Sequence, residues 1–178
     1  MKIWTCSDRT PNPGVRPFLF KCVAVLVLLI GGFLLWYGNQ LIVALIPEGG
    51  KKPITFPANE WRYHYTHSVQ LTPVDEYFKV NGVDDMTMTH TVFQSLGVGL
   101  PYAPYEGQFH AMKKEGKFDL QMNRPYKVVR FRPAIQAKPY IAYKDTIYDL
   151  CDLYGSGTLV EVRAMKRYQF WLRNHAAQ

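Results

Sequence analysis

CVAVLVLLIGGFLLWYGNQLIVALI, residues Cys22 to Ile46, holds no charged side chain, and its only strongly polar ones are Asn39 and Gln40. At about 1.5 Å rise per residue its 25 positions span roughly 37 Å, more than the roughly 30 Å hydrocarbon core of a bilayer. A soluble core helix rarely stays apolar on every face for that long. We read the stretch as one transmembrane helix. Trp36 and Tyr37 suit one interface, and Phe18 and Phe20 the other, with Lys21 snorkelling outward. A cleaved signal peptide would carry a shorter apolar region and end in a small-x-small site, which Val43-Ala44-Leu45-Ile46-Pro47 lacks.

Working outward, Lys2, Arg9, Arg16 and Lys21 precede the helix, and Lys51, Lys52 and Arg62 follow it. This asymmetry favours a cytoplasmic N-terminus. The expected organisation is a cytoplasmic tail over 1–21, an anchor over 22–46 and a linker over 47–60. An extracytoplasmic β domain over 61–165 and a tail or short helix over 166–178 follow. The chain is expected to cross its membrane once. About 130 residues after the anchor suffice for one ordinary domain.

The net charge of +7 divides into +3 before the helix, from four basic and one acidic side chain, and +4 after it, from 17 basic and 13 acidic. A mildly basic outer domain with interspersed signs argues against nucleic-acid binding. Cys151 is alone in that domain, so no internal disulfide is expected there.

From Trp61 on, short runs of aromatic and β-branched residues alternate with turn residues every 8–12 positions, which predicts an all-β antiparallel sandwich or barrel of about eight or nine strands. The strands fall at 61–69, 74–80, 86–93, 108–112, 117–122, 128–132, 140–143, 146–150 and 158–165. Gly155-Ser156-Gly157 and Lys114-Glu115-Gly116 read as hairpin turns, and Lys166 to Arg173 as a short helix. In the first hairpin a Gln70–Pro73 loop would pair Val69 with Val74, His67 with Glu76 and Tyr65 with Phe78, with all apolar residues on one face. A five-residue loop at 81–85 would then pair Val80 with Met86, Phe78 with Met88 and Glu76 with His90. The expected result is a structural polar cluster of His67, Glu76 and His90 on an otherwise apolar face, with His67 and Glu76 supporting each other's charged form.

His64 and His110 could extend that cluster toward a metal site, but no compact ligand spacing exists, and neither a metal nor another cofactor is expected. Ser68 and His67 are neighbours on a strand and point apart, no Gly-x-Ser-x-Gly elbow occurs, and no catalytic residue is assigned. Gly97-Val98-Gly99 lacks the third glycine of a dinucleotide loop, since position 102 is Tyr102. Tyr102 and Tyr105 read instead as contact surface on a protruding loop.

Tyr65-Thr66-His67-Ser68-Val69, then Thr72-Pro73-Val74 and Glu76-x-Phe78, then Ser95-Leu96-Gly97-Val98-Gly99-Leu100-Pro101, resemble a small family of uncharacterised proteins. Its members are typically encoded beside, or fused to, permeases of TAXI-type TRAP transporters. These import organic acids with an extracytoplasmic solute-binding protein. The resemblance implies a non-catalytic accessory or assembly subunit in the cytoplasmic membrane of a prokaryote, whose partner is the TRAP permease and whose 95–107 loop would contact that permease or its solute-binding protein. The alternative is a stand-alone membrane-anchored module that binds a small ligand or metal.

Overall fold

The computed structural model describes residues 15–94, 107–112 and 116–176. The chain divides into two compact units, Met1–Asn39 and Gln40–Gln178. The first contains one helix, α1 (Val15–Gly38). Its apolar part, Phe20–Gly38, runs 19 residues at a mean hydropathy of 2.2, long and apolar enough to cross a membrane as an anchor or a signal sequence does. The last helical bond is donated by Asn39 N to Leu35 O. Gly38 and Asn39 are poor helix residues, and the chain leaves the helix there.

The expected anchor therefore ends too late. Leu41–Pro47 is strand β1, and Ile54–Pro57, expected in a linker, is strand β2. Ile42, Val43, Ala44 and Leu45 are all essentially inaccessible to solvent. A strand buried on both faces shows a continuous apolar run without alternation, which is why it merged with the helix before it.

The remaining strands are β3 (Trp61–Thr66), β4 (Pro73–Gly82), β5 (Asp85–Phe93), β6 (Gln108–Met112), β7 (Lys117–Tyr126), β8 (Val129–Phe131), β9 (Tyr140–Tyr143), β10 (Thr146–Asp149) and β11 (Val160–Lys166). All nine expected strands are present. With β1 and β2 they form two antiparallel sheets, one ordered β2-β1-β11-β8 and the other β10-β9-β3-β4-β5-β7-β6. One core joins them: Val43, Leu45, Phe56, Val160 and Val162 from the smaller sheet meet Trp61, Phe78, Met86, Met88 and Ile141 from the larger. Phe131 of β8 stacks on Tyr63 of β3, with centroids 4.6 Å apart. The fold is thus a sandwich.

Gly155-Ser156-Gly157 is not a hairpin turn. It follows a helix that was not expected, α2 (Leu150–Tyr154), whose N-cap Asp149 accepts from the N–H groups of Cys151 and Asp152. Gly155 and Gly157, at φ of 76° and 82°, carry the chain from there toward β11 in the other sheet. The expected 114–116 turn lies partly outside the described residues. The expected terminal helix is α3 (Arg167–Ala176). Gln169 reaches back to the Lys166 N–H at 2.8 Å, half of a capping box, and Phe170 packs on Ile42, Ala44 and Met165. The second face of β1 is buried there.

The segment after β1 is anchored by Glu48, whose carboxylate accepts from Leu159 N at 2.7 Å and from Arg132 at 2.6 Å. The Leu159 N–H and then Arg132 hold this carboxyl below its usual range.

Leu45, opposite Val162 and Ile54, provides a check. Leu45→Ala should lower the stability of the β unit by roughly 2–5 kcal/mol in urea unfolding of the full chain in detergent. A Leu45 embedded in a bilayer would leave that transition unmoved.

Candidate functional site

The structure places His67, Glu76 and His90 on three different surfaces. β3 and β4 pair Tyr65 with Val74, Tyr63 with Glu76 and Trp61 with Phe78. Tyr65 thus lies opposite Val74 rather than Phe78, four residues from its expected partner. The connection is longer than expected, covering His67 to Thr72. Because the slip is even, the faces survive and only the partners change.

His67 is therefore not opposite Glu76. It sits in the turn, where its N–H donates to Thr72 O at 2.9 Å and its carbonyl accepts from Leu71 N at 2.9 Å. Its Nδ1 accepts from the backbone N–H groups of Val69 and Gln70 at 3.3 and 3.2 Å. Nδ1 carries no proton in this arrangement, and the ring proton is on Nε2. Leu71 completes the turn at φ 52°. Ser68, Val69 and Thr72 of the motif thus form the turn itself, and Pro73 opens β4. Gly97, Gly99, Leu100, Pro101, Tyr102 and Tyr105 lie outside the described residues.

His90 departs for a different reason. Val80 pairs with Met86 and Phe78 with Met88 as expected, but the register then shifts and Tyr77 meets His90. Thr89 is the extra residue of a bulge, its hydroxyl donating to Tyr77 O at 3.3 Å. The bulge turns His90 to the outer face, where it stacks on Tyr77 at 4.1 Å. The phase change shows in the burial, with Met86 and Met88 and then Thr91 and Phe93 inside, whereas the sequence conceals it, since Val92 keeps the phase of Met86 and Met88 and the buried Thr91 is polar.

Glu76 faces the core. Ile141, Tyr63, Glu76, Thr91, Leu120 and Phe109 form one rank across the larger sheet. The half-buried carboxylate accepts from Tyr65 Oη at 3.3 Å, and buried Thr91, opposite it, has no hydrogen-bond partner for its hydroxyl among the described residues. Burial pushes the Glu76 carboxyl above its usual range, against the pull of the Tyr65 hydroxyl and Arg124. Burial, then the carboxylate, push the Tyr65 and Tyr63 hydroxyls up as well. An ion pair with an imidazole is not what governs this acid.

The opposite face carries a group that the expected register concealed. His64 lies opposite Asp75 on one side and Tyr140 on the other. Its Nδ1 is 2.8 Å from Asp75 Oδ1, which also lies 3.5 Å from Arg62, and its ring stacks on Tyr140 at 4.4 Å. Asp75 fixes the imidazole, leaving Nε2 without a hydrogen-bond partner among the described residues. Beside Arg62 lies a shallow depression of about 260 Å³, lined by Glu60, Trp61, Arg62, Tyr77, Ala142 and Lys144. Among the described residues no hydroxyl or thiol is hydrogen-bonded to the dyad. Among the described residues no group of three or more His, Cys, Asp or Glu is arranged to hold a metal ion.

Fold and site together define a two-sheet antiparallel β protein preceded by an apolar helix, with His67 of the motif committed to a turn and Glu76 to the core face. The chain belongs to the family described as a domain of unknown function, DUF1850, whose model matches residues 62–150. That span runs from β3 through β10. No curated protein and no solved structure matches the chain.

Two outcomes test these assignments. His67→Asn, which keeps a side-chain acceptor for the turn, should stay near wild-type stability, whereas His67→Ala should lose roughly 0.5–1.5 kcal/mol. Neither should show coupling to Glu76→Ala in a double-mutant cycle. For Glu76 the folded pKa is raised, so the native state binds the proton more tightly than the unfolded chain. Its contribution is full below the unfolded pKa and is lost as pH rises through the folded one. Glu76→Gln should therefore match or exceed wild-type stability at neutral pH and lose this advantage on acidification, read by urea unfolding across the acid range.

Proposed function

We propose that this protein is a non-catalytic, membrane-anchored accessory or assembly subunit of a TAXI-type TRAP transporter that imports organic acids, working with its permease and solute-binding protein. The N-terminus lies in the cytoplasm and the β unit outside it. The observation that carries this reading is the junction of an apolar, membrane-length helix, 20–38, whose one charged residue is Lys21 near its start, to a β unit bearing the motifs quoted above. The basic residues before that helix support the orientation. Retention of the helix is supported by Trp36 and Gly38, which do not form a small-x-small cleavage site before residue 39. A non-catalytic role is supported by the use made of the motif: His67 secures a turn and Glu76 faces the core.

A second reading, a membrane-anchored module that binds a small anionic ligand, is favoured by the depression beside Arg62 and Lys144. It predicts saturable binding of carboxylates that Lys144→Ala weakens.

Affinity purification of the tagged full chain in mild detergent separates the two readings. The accessory role predicts recovery of a TRAP permease, and its absence under conditions that retain other membrane complexes would overturn that role. Gly31 and Gly32 leave open space where a side chain would stand and permit close helix approach. Replacing both by Leu should reduce permease recovery several-fold while membrane insertion is unchanged.

A further inference from the structure

We propose that α3 is a second membrane contact, lying in the interface of an anionic bilayer with its outer stripe in the acyl-headgroup boundary. This rests on the reading of the apolar helix as a retained anchor.

The argument begins with the two faces of α3. At about 100° per residue, Tyr168, Trp171, Leu172 and His175 fall on one side, and Phe170 on the other. Phe170 packs on β1 and β11, and Arg173 reaches Glu161 at 3.6 Å. The outer stripe is open to solvent: Tyr168 is 45% exposed, Trp171 44% and Leu172 68%. A Trp, a Tyr and a Leu side by side on a short helix are the composition of an interfacial segment, with rings that present an apolar body and a polar edge.

Charge selects the occupant. Residues 162–178 contain Arg163, Lys166, Arg167 and Arg173 and no acidic side chain, and of these Arg163 and Arg173 lie against Glu161, at 3.1 and 3.6 Å. At the far end of the helix, exposed Lys52 lines the same recess as Asn174. A surface that is apolar along its stripe and basic at both ends fits negatively charged headgroups.

Chain connectivity supplies the membrane. Arg167 N, in the first turn of α3, donates to Gln40 O at 3.0 Å. Only Asn39 separates Gln40 from Gly38, the last residue of the apolar helix, and two residues of chain reach at most about 7 Å. The start of α3 is thus tethered close to the point where an inserted helix leaves the hydrocarbon.

The test uses the full chain reconstituted into lipid nanodiscs. With Trp4→Phe and Trp36→Phe, the remaining indoles are Trp61, buried in the core, and Trp171. The Trp171 signal is the difference made by adding Trp171→Phe, and the Trp61 signal reports that the fold is intact. With acyl-chain-brominated lipids and phosphatidylglycerol present, the Trp171 signal should fall at least about twofold, and Leu172→Glu should relieve that quenching. Quenching by aqueous iodide and not by bromolipid would overturn the proposal. So would protection from both, which marks contact with protein. A chain that does not insert into the discs at all would instead overturn the anchor reading, and this inference with it.

Discussion

The β unit depends on the burial of β1 on both of its faces. One side of Leu41–Pro47 contributes Val43 and Leu45 to the core shared with the larger sheet, and the other side gives Ile42 and Ala44 to Phe170 and Met165. A strand in this position has no polar face to offer, and its backbone groups are satisfied by β2 and β11. It ties the beginning of the unit to its end, since β1 pairs with β11 from Leu41–Lys166 through Pro47–Val160. Loop closure over that separation is entropically costly, and the apolar area removed from water on both faces of β1 offsets it.

This constraint bears on the family match. Residues 62–150 contain the larger sheet and β8, but not β1, β2 or β11. Val43, Leu45, Phe56, Val160 and Val162, which lie against Phe78 and Ile141, come from outside the matched span. The larger sheet has an apolar inner face that it cannot bury by itself, so the matched region is a structural half that requires its flanks.

What the sequence made legible follows from the same physics. Strands such as β5 and β11 alternate because one face is wetter than the other, and their positions could be read. β1 does not alternate, and seven apolar residues after an apolar helix gave no phase to detect. Asn39 and Gln40 were the visible break, read as polar residues within a membrane helix when they end it. In the hairpins the faces were legible and the partners were not. Face is fixed by period two, whereas the partner depends on turn length, and a slip of even size conserves every face. The His67 turn altered one register in this way, and the Thr89 bulge reversed the face of His90. The pairing of His64 with Asp75 became visible only with the correct register.

The consequence for the motif is chemical. In the expected register His67 and Glu76 formed one charged pair, and the polar residues shared a single site. In the fold they perform separate tasks: an unprotonated imidazole nitrogen gathers two backbone N–H groups, and a carboxyl opposite the buried Thr91 hydroxyl is driven toward its neutral form by burial. Neither task requires a ligand. The polar groups open to the outside are on the opposite face, in Arg62, His64 and Asp75 and in the stacked Tyr77 and His90. The motif residues among those described thus account for the shape of the sheet, while surface chemistry is carried by side chains outside the motif. On the readings proposed above, interaction with a partner or a bilayer would fall to that outer face and to α3, so that fold and function would rest on different residues.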